Sequence, residues 1–117
     1  MGLHRLAIDG KEIIFINTWR GTGSGFLHET ELYIDGWAAT AAKCHYINRT
    51  WERYSYQSVM LQAVHNLQQQ ETEREKQLFR NIMGIRNIMP RHKDLLEEHL
   101  KTSETISFYK KIEEALR

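Results

Sequence analysis

The sequence predicts an α+β fold: an antiparallel meander of three or four strands packed on a long helix, followed by a C-terminal helical extension. Three observations carry this. Two Asp-Gly pairs, Asp9-Gly10 and Asp35-Gly36, sit between apolar-rich runs in the first half of the chain. Beyond Tyr54 the apolar residues change to a helical spacing. Gly84, Pro90 and Thr102-Ser103 then punctuate the last third.

Each Asp-Gly pair reads as a two-residue hairpin turn. Type I′ turns place both central residues at positive φ, and Asp or Asn followed by Gly tolerates that best. The first turn pairs Leu3–Ile8 with Lys11–Trp19, and the second pairs Phe26–Ile34 with Trp37–Tyr46. A two-residue turn at Asp35-Gly36 sets Ile34 opposite Trp37, Leu32 opposite Ala39 and Thr30 opposite Ala41. The other face then pairs Tyr33 with Ala38, Glu31 with Thr40 and Leu27 with Cys44. The Ile34, Leu32 and Thr30 set is the more apolar near the turn and is expected to face a helix. Ala38-Ala39-Thr40-Ala41-Ala42 has poor strand propensity, but its small side chains allow close approach. Gly21-Thr22-Gly23-Ser24-Gly25 resembles a phosphate-cradling loop in composition. Such a loop should feed a helix, whereas Phe26–Thr30 reads as strand, so a flexible strand connection is expected.

The long helix is expected to begin near Trp51, with Asn48 or Thr50 as its N-cap and Glu52 in its first turn. Tyr56, Val59, Met60, Ala63, Val64 and Leu67 make its apolar stripe. From Gln68 to Gln77 there is no apolar residue, and all but Thr72 are good helix formers. The stripe resumes at Leu78, Phe79, Ile82, Met83 and Ile85. A helix from Trp51 to Ile85 would be about 52 Å long, more than a compact globule of this size, whose radius of gyration is about 13 Å. Either the helix breaks in its polar waist, or it projects and carries a second apolar stripe to a partner or a second copy. A helix over Lys93–Leu100, with Leu95, Leu96, His99 and Leu100 on one side, and a last one capped by Thr102-Ser103 complete the chain. The expected organisation is therefore 1–67 (meander and first half of the long helix), 68–77 (polar connector) and 78–117 (helical extension).

Composition bounds the chemistry. Among 117 residues, 16 Lys and Arg face 15 Asp and Glu, for a formal net charge of +1; this gives no global attraction to nucleic acid or to acidic membranes. One cysteine excludes an internal disulfide framework and a multi-cysteine zinc site. The longest apolar run, Ile13–Ile16, is too short for a membrane span or a signal segment. A reducing cytoplasm is the expected compartment.

Candidate catalytic and metal groups are unpersuasive. His28 and His45 are expected to share a sheet face, but no HExxH or paired CxxC spacing accompanies the six histidines. Cys44 and His45 are adjacent on a strand, where alternation separates side chains. Glu29 and Glu31 fit a solvated strand face. No catalytic residue, metal site or cofactor is expected. The segment Leu78–Lys93 is different: Arg80, Arg86, Arg91 and Lys93 accompany His92, with no acidic residue among them. Such a stretch suits phosphate or an acidic protein surface. These four are the first candidates for partner binding, with the exposed Arg49 and Arg53 second. Trp19, Arg20, Trp37, Trp51, Tyr54 and Tyr56 are further candidates for core or interface anchors.

The stretch Tyr46-Ile47-Asn48-Arg49-Thr50-Trp51-Glu52-Arg53-Tyr54-Ser55-Tyr56-Gln57-Ser58-Val59 resembles a segment of small, mostly uncharacterised proteins of phages and conjugative elements in Gram-positive bacteria. Gly25-Phe26-Leu27-His28 and Leu32-Tyr33-Ile34-Asp35-Gly36 are similar to the same group, and the likeness covers about Trp19 to Leu67. Small proteins of such elements include anti-CRISPR proteins that block Cas9-type effectors. The resemblance therefore implies a non-enzymatic inhibitor of a host defence complex, with Cas9 or its guide-RNA complex as first partner. A nucleic-acid-binding accessory protein is the alternative.

Overall fold

In the computed structural model, an antiparallel sheet is backed on one face by a helical hairpin. The described residues are 2–22, 25–39, 44–48 and 56–117. Strands β1 (Gly2–Ile8), β2 (Lys11–Thr22) and β3 (Gly25–Ile34) form a meander. Both β4 (Trp37–Ala38) and β5 (Cys44–Asn48) pair antiparallel with β3, making the sheet four strands wide. Helix α1 (Tyr56–Met83) and helix α2 (Lys93–Leu116) follow, joined through a 3-10 turn at Pro90–His92.

Both Asp-Gly turns have the expected geometry. Asp9 and Gly10 have φ of 52° and 75°, and Asp35 and Gly36 have 49° and 74°. The second turn is also tied to β2, because the Glu12 N–H donates to Asp35 Oδ1 at 2.8 Å and the Asp35 N–H to the Glu12 carbonyl at 2.8 Å. Gly36→Ala puts a Cβ on a left-handed residue and is expected to cost about 1–2 kcal/mol. Gly21→Ala, in a strand with open space beside it, should cost no more than a few tenths. Urea denaturation of the two variants distinguishes them; equal losses would mean that backbone handedness is not what Gly36 supplies.

Alternation sorts the sheet into two faces. Ile13, Phe15 and Asn17 of β2 and His28, Thr30 and Leu32 of β3 are buried beneath the helices. The expectation that Thr30, Leu32 and Ile34 face a helix is met: Leu32 is in the core with Val59, Met60, Ala63, Val64 and Leu67 of α1, and Ile34 packs against it. The expected register holds at Ile34–Trp37 and Tyr33–Ala38, and the Ala39 N–H still donates to the Leu32 carbonyl at 2.9 Å. It does not hold further on. Thr30 pairs with Cys44 and Leu27 with Ile47, three residues out of step with β4. The β5 side therefore carries more residues than β3 over this stretch. His45 consequently pairs with Glu29, and His28 with Tyr46, so the expectation that positions 28 and 45 share a sheet face is not met. The expected pairing of Thr30 with Ala41 is replaced, and Thr40, Ala41, Ala42 and Lys43 lie outside the described residues. Thr22 pairs with Gly25, so the glycine-rich segment joins two strands and feeds no helix.

α1 runs unbroken through its polar waist, and α2 folds back along it. The waist is bonded rather than bare: Gln68 Nε2 donates to Glu113 Oε2 at 2.8 Å, and Arg74 donates to Glu98 Oε1 at 2.5 Å. The expected break between Leu100 and Ser103 is absent, and α2 is one helix of 24 residues. Thr102 is buried inside it and its hydroxyl donates to the Glu98 carbonyl at 3.0 Å. A threonine can satisfy itself on the preceding turn, so the helix does not need to stop for it. Of the four residues expected on one side of this helix, Leu95 and His99 are half-buried and Leu96 and Leu100 exposed. The expected start of α1 at Trp51, with its Thr50 cap, lies outside the described residues; Asn48 ends β5.

The core lies where the sheet meets the proximal half of the hairpin. Phe108, Ile112 and Leu116 of α2 join the sheet and α1 residues there. At its edge Lys111 Nζ pairs with Asp9 Oδ2 at 2.7 Å, and Lys11 Nζ sits 4.9 Å above the Phe108 ring. The distal half has no sheet beneath it. The molecule is thus 59 Å long with a radius of gyration of 17.8 Å, well above the compact value, because the hairpin projects.

Glu113 reports on the hairpin's closure. Hydrogen bonds, first from Arg117 and then from Gln68, hold its carboxyl below the ordinary glutamate value of 4.5. A depressed folded-state value means that this contribution is present above the unfolded value and is lost as pH falls through the folded one. Acidification below about pH 4.5 should therefore release the Gln68 side-chain amide, observable as a shift of its NMR signal. Glu113→Gln should abolish that step, and its persistence in the variant would assign the step to another group.

Candidate interaction surface

The distal end of the hairpin gathers the basic residues singled out in the sequence. α1 ends at Met83, where the Gly84 N–H still donates to the Arg80 carbonyl at 3.1 Å. Pro90 then opens the 3-10 turn, a position where its missing N–H costs nothing. Met89 and His92 close that turn on each other: the Met89 N–H donates to His92 Nδ1 and the His92 N–H to the Met89 carbonyl, both at 2.9 Å. Arg80 occupies the last turn of α1, Arg86 and Arg91 the connection, and Lys93 the first position of α2. All four are exposed. Arg86 and Arg91 line one shallow concavity of about 390 Å³ with Ile85, Asn87, Met89 and His92. Arg80 also complements the negative end of the α1 dipole. Lys93 makes only an exposed pair with Glu97 at 3.7 Å. Arg49 and Arg53 lie outside the described residues.

The same end exposes apolar side chains. Phe79 and Met89 are about half exposed, and Met83, Ile88 and Leu100 more so. The regained stripe at Phe79 and Met83 was visible in the sequence. Ile88, Met89, Leu96 and Leu100 were not recognised as part of this surface. Helical spacing alone does not separate such side chains from those that face the other helix. Apolar side chains mixed with arginine are the composition of protein interaction surfaces.

Elsewhere several charged groups are engaged in ion pairs or ring contacts. A cleft of about 570 Å³ between the first turn and α2 is lined by Asp9, Lys11, Trp37 and Tyr109 among others. There Asp9 is paired with Lys111 and Lys11 is stacked on Phe108. Burial, and then Glu71, raise the Tyr109 hydroxyl above the usual tyrosine value. Glu31 accepts from the Tyr33 hydroxyl at 2.9 Å. Among the described residues no three His, Cys, Asp or Glu side chains gather as metal ligands, and no helix is long and apolar enough to cross a membrane.

The architecture is a meander sheet with a protruding helical hairpin, and its most distinctive exposed chemistry is at the hairpin's end. No protein-family model matches the chain, and no curated protein or solved structure matches it.

Proposed function

We propose that this chain is a mobile-element-encoded binding protein that inhibits a host defence complex in the bacterial cytoplasm, with a Cas9-type RNA-guided nuclease as its target. It acts by laying the end of its helical hairpin on a functional surface of that complex. The observation that supports the mode of action is the clustering of Arg80, Arg86, Arg91 and Lys93 beside exposed Phe79, Met83, Ile88 and Met89, with no acidic residue between Leu78 and Lys93. The choice of target comes from the resemblance of Tyr46–Val59 to proteins of phages and conjugative elements. The test is to mix the purified chain with guide-loaded Cas9, then assay DNA cleavage and co-elution together. Loss of cleavage with co-elution is expected; unaffected cleavage without co-elution overturns the choice of target.

The acid-free basic stretch also favours a second reading, a nucleic-acid-binding accessory protein. Four phosphate contacts would give a slope of log K against log salt of about −3.6 on duplex DNA. An electrophoretic titration at low salt that shows no shift disposes of this reading.

A further inference from the structure

Among the described residues, the helices cover one face of the sheet and nothing covers the other. On the bare face, Leu3 and Arg5 of β1 are exposed, and Ile14 and Ile16 of β2 and Tyr33 of β3 are half-buried. The central strand is the informative one. Its run Ile13-Ile14-Phe15-Ile16 is the longest apolar run in the chain, and it is apolar toward both faces. Ile13 and Phe15 are fully buried beneath the helices, while Ile14 and Ile16 point away from them. Strands that read as continuous apolar runs are those covered on both sides, and among the described residues only one side of β2 has a cover.

We propose that the bare face is a twofold interface, closed by a second copy of this chain packed sheet on sheet. The register supplies two rows across the face: Arg5–Ile14–Tyr33 and Leu3–Ile16–Glu31. Each row has an isoleucine in the middle. The cation lies on β1 at one side and the carboxylate on β3 at the other. A twofold axis parallel to β2 sets isoleucine on isoleucine at the centre and brings β1 of one copy over β3 of its partner. Arg5 of each copy then faces the other's Tyr33 ring and the Glu31 carboxylate that the Tyr33 hydroxyl already holds. Among the described residues Arg5 makes no ion pair. An interface of this symmetry must be self-complementary, and the charges of these two central rows are, whereas Glu12 and Arg20 toward the ends of β2 would meet their own copies and confine the contact to the centre. With strands of 7, 12, 10, 2 and 5 residues lying about 4.8 Å apart, the face is roughly 570 Å², the size of a weak, reversible interface and below the about 800 Å² per partner of a standard one.

Sedimentation equilibrium tests this independently of the hairpin's binding role. The wild-type chain is expected near 28 kDa, twice its 13.9 kDa mass. Ile16→Asp should sediment as the monomer with an unchanged circular dichroism spectrum. Should that variant unfold, the charge pair decides: Arg5→Glu or Glu31→Arg alone should weaken association about tenfold or more, and the two together should restore it. A wild-type chain that stays monomeric at its highest soluble concentration overturns the proposal. So does a dimer that survives Ile16→Asp, one indifferent to both charge reversals, or one lost instead on Met83→Asp at the hairpin end.

Discussion

Phe15→Ala is expected to destabilise the chain by about 3–5 kcal/mol, the cost of emptying a large aromatic site in a core that relaxes only in part. The ring is fully buried at the middle of β2, with His4 and Leu32 as its register partners. The His4 ring centroid lies 6.3 Å away, and α1 closes the site from above through Val59, Ala63 and Val64. A domain of this kind is stable by about 5–15 kcal/mol, so the loss is a large fraction of the whole. Urea denaturation should show a lower midpoint with an unchanged slope. A loss under about 1 kcal/mol would mean that the ring is not the keystone between sheet and helices.

Reversing Arg80, Arg86, Arg91 and Lys93 to glutamate should do the opposite: remove binding and leave the fold intact. Four reversals of two charge units each take the formal net charge from +1 to −7. All four side chains are exposed, and the ion pair broken, Lys93–Glu97, is of the solvent-exposed kind worth at most about 1 kcal/mol. The melting curve should therefore move little. Affinity for guide-loaded Cas9 should fall about 100-fold or more, since charged groups opposed to like charge at an interface cost several kcal/mol. Titration calorimetry beside a thermal melt separates the two effects. Full affinity in the quadruple variant would exclude this end of the hairpin as the contact surface for that complex.

The meander was legible because its determinants are local. Asp9-Gly10 and Asp35-Gly36 fix turn type, and turn type with alternation places Ile13, Phe15 and Leu32 on one face. The stripe from Tyr56 to Leu67 was legible for the same reason. Three features were not. The shift in register between β4 and β5 falls in a part of the sequence rich in alanine, whose side chains carry no alternating pattern from which a register can be read. The continuity of α2 through Thr102 depends on a hydroxyl bonding within its own helix, and the same residue would cap a new one equally well. The pairing of the polar waist with α2 depends on Gln68 meeting Glu113, a contact across 45 residues that no periodicity encodes. Of the interaction surface, Arg80, Arg86, Arg91 and Lys93 could be found by counting charges. Leu96 and Leu100 could not, because exposed and buried leucines look alike until the packing partner is known.

The hairpin is anchored at one end only. Near the sheet its helices are clamped by Val64, Leu67, Phe108 and Ile112, whereas beyond Leu78, itself buried, the apolar residues at its tip are largely exposed. Opening of the helices should therefore begin at Gly84 and Pro90 and travel inward, like a zip, with amide exchange slowing toward the sheet. A partner that grips the tip must first hold it shut, so its apparent affinity is lowered by the fraction of time the tip stands frayed. A crosslink between the two helices near their far end would remove that penalty and tighten binding without adding a single new contact to the partner.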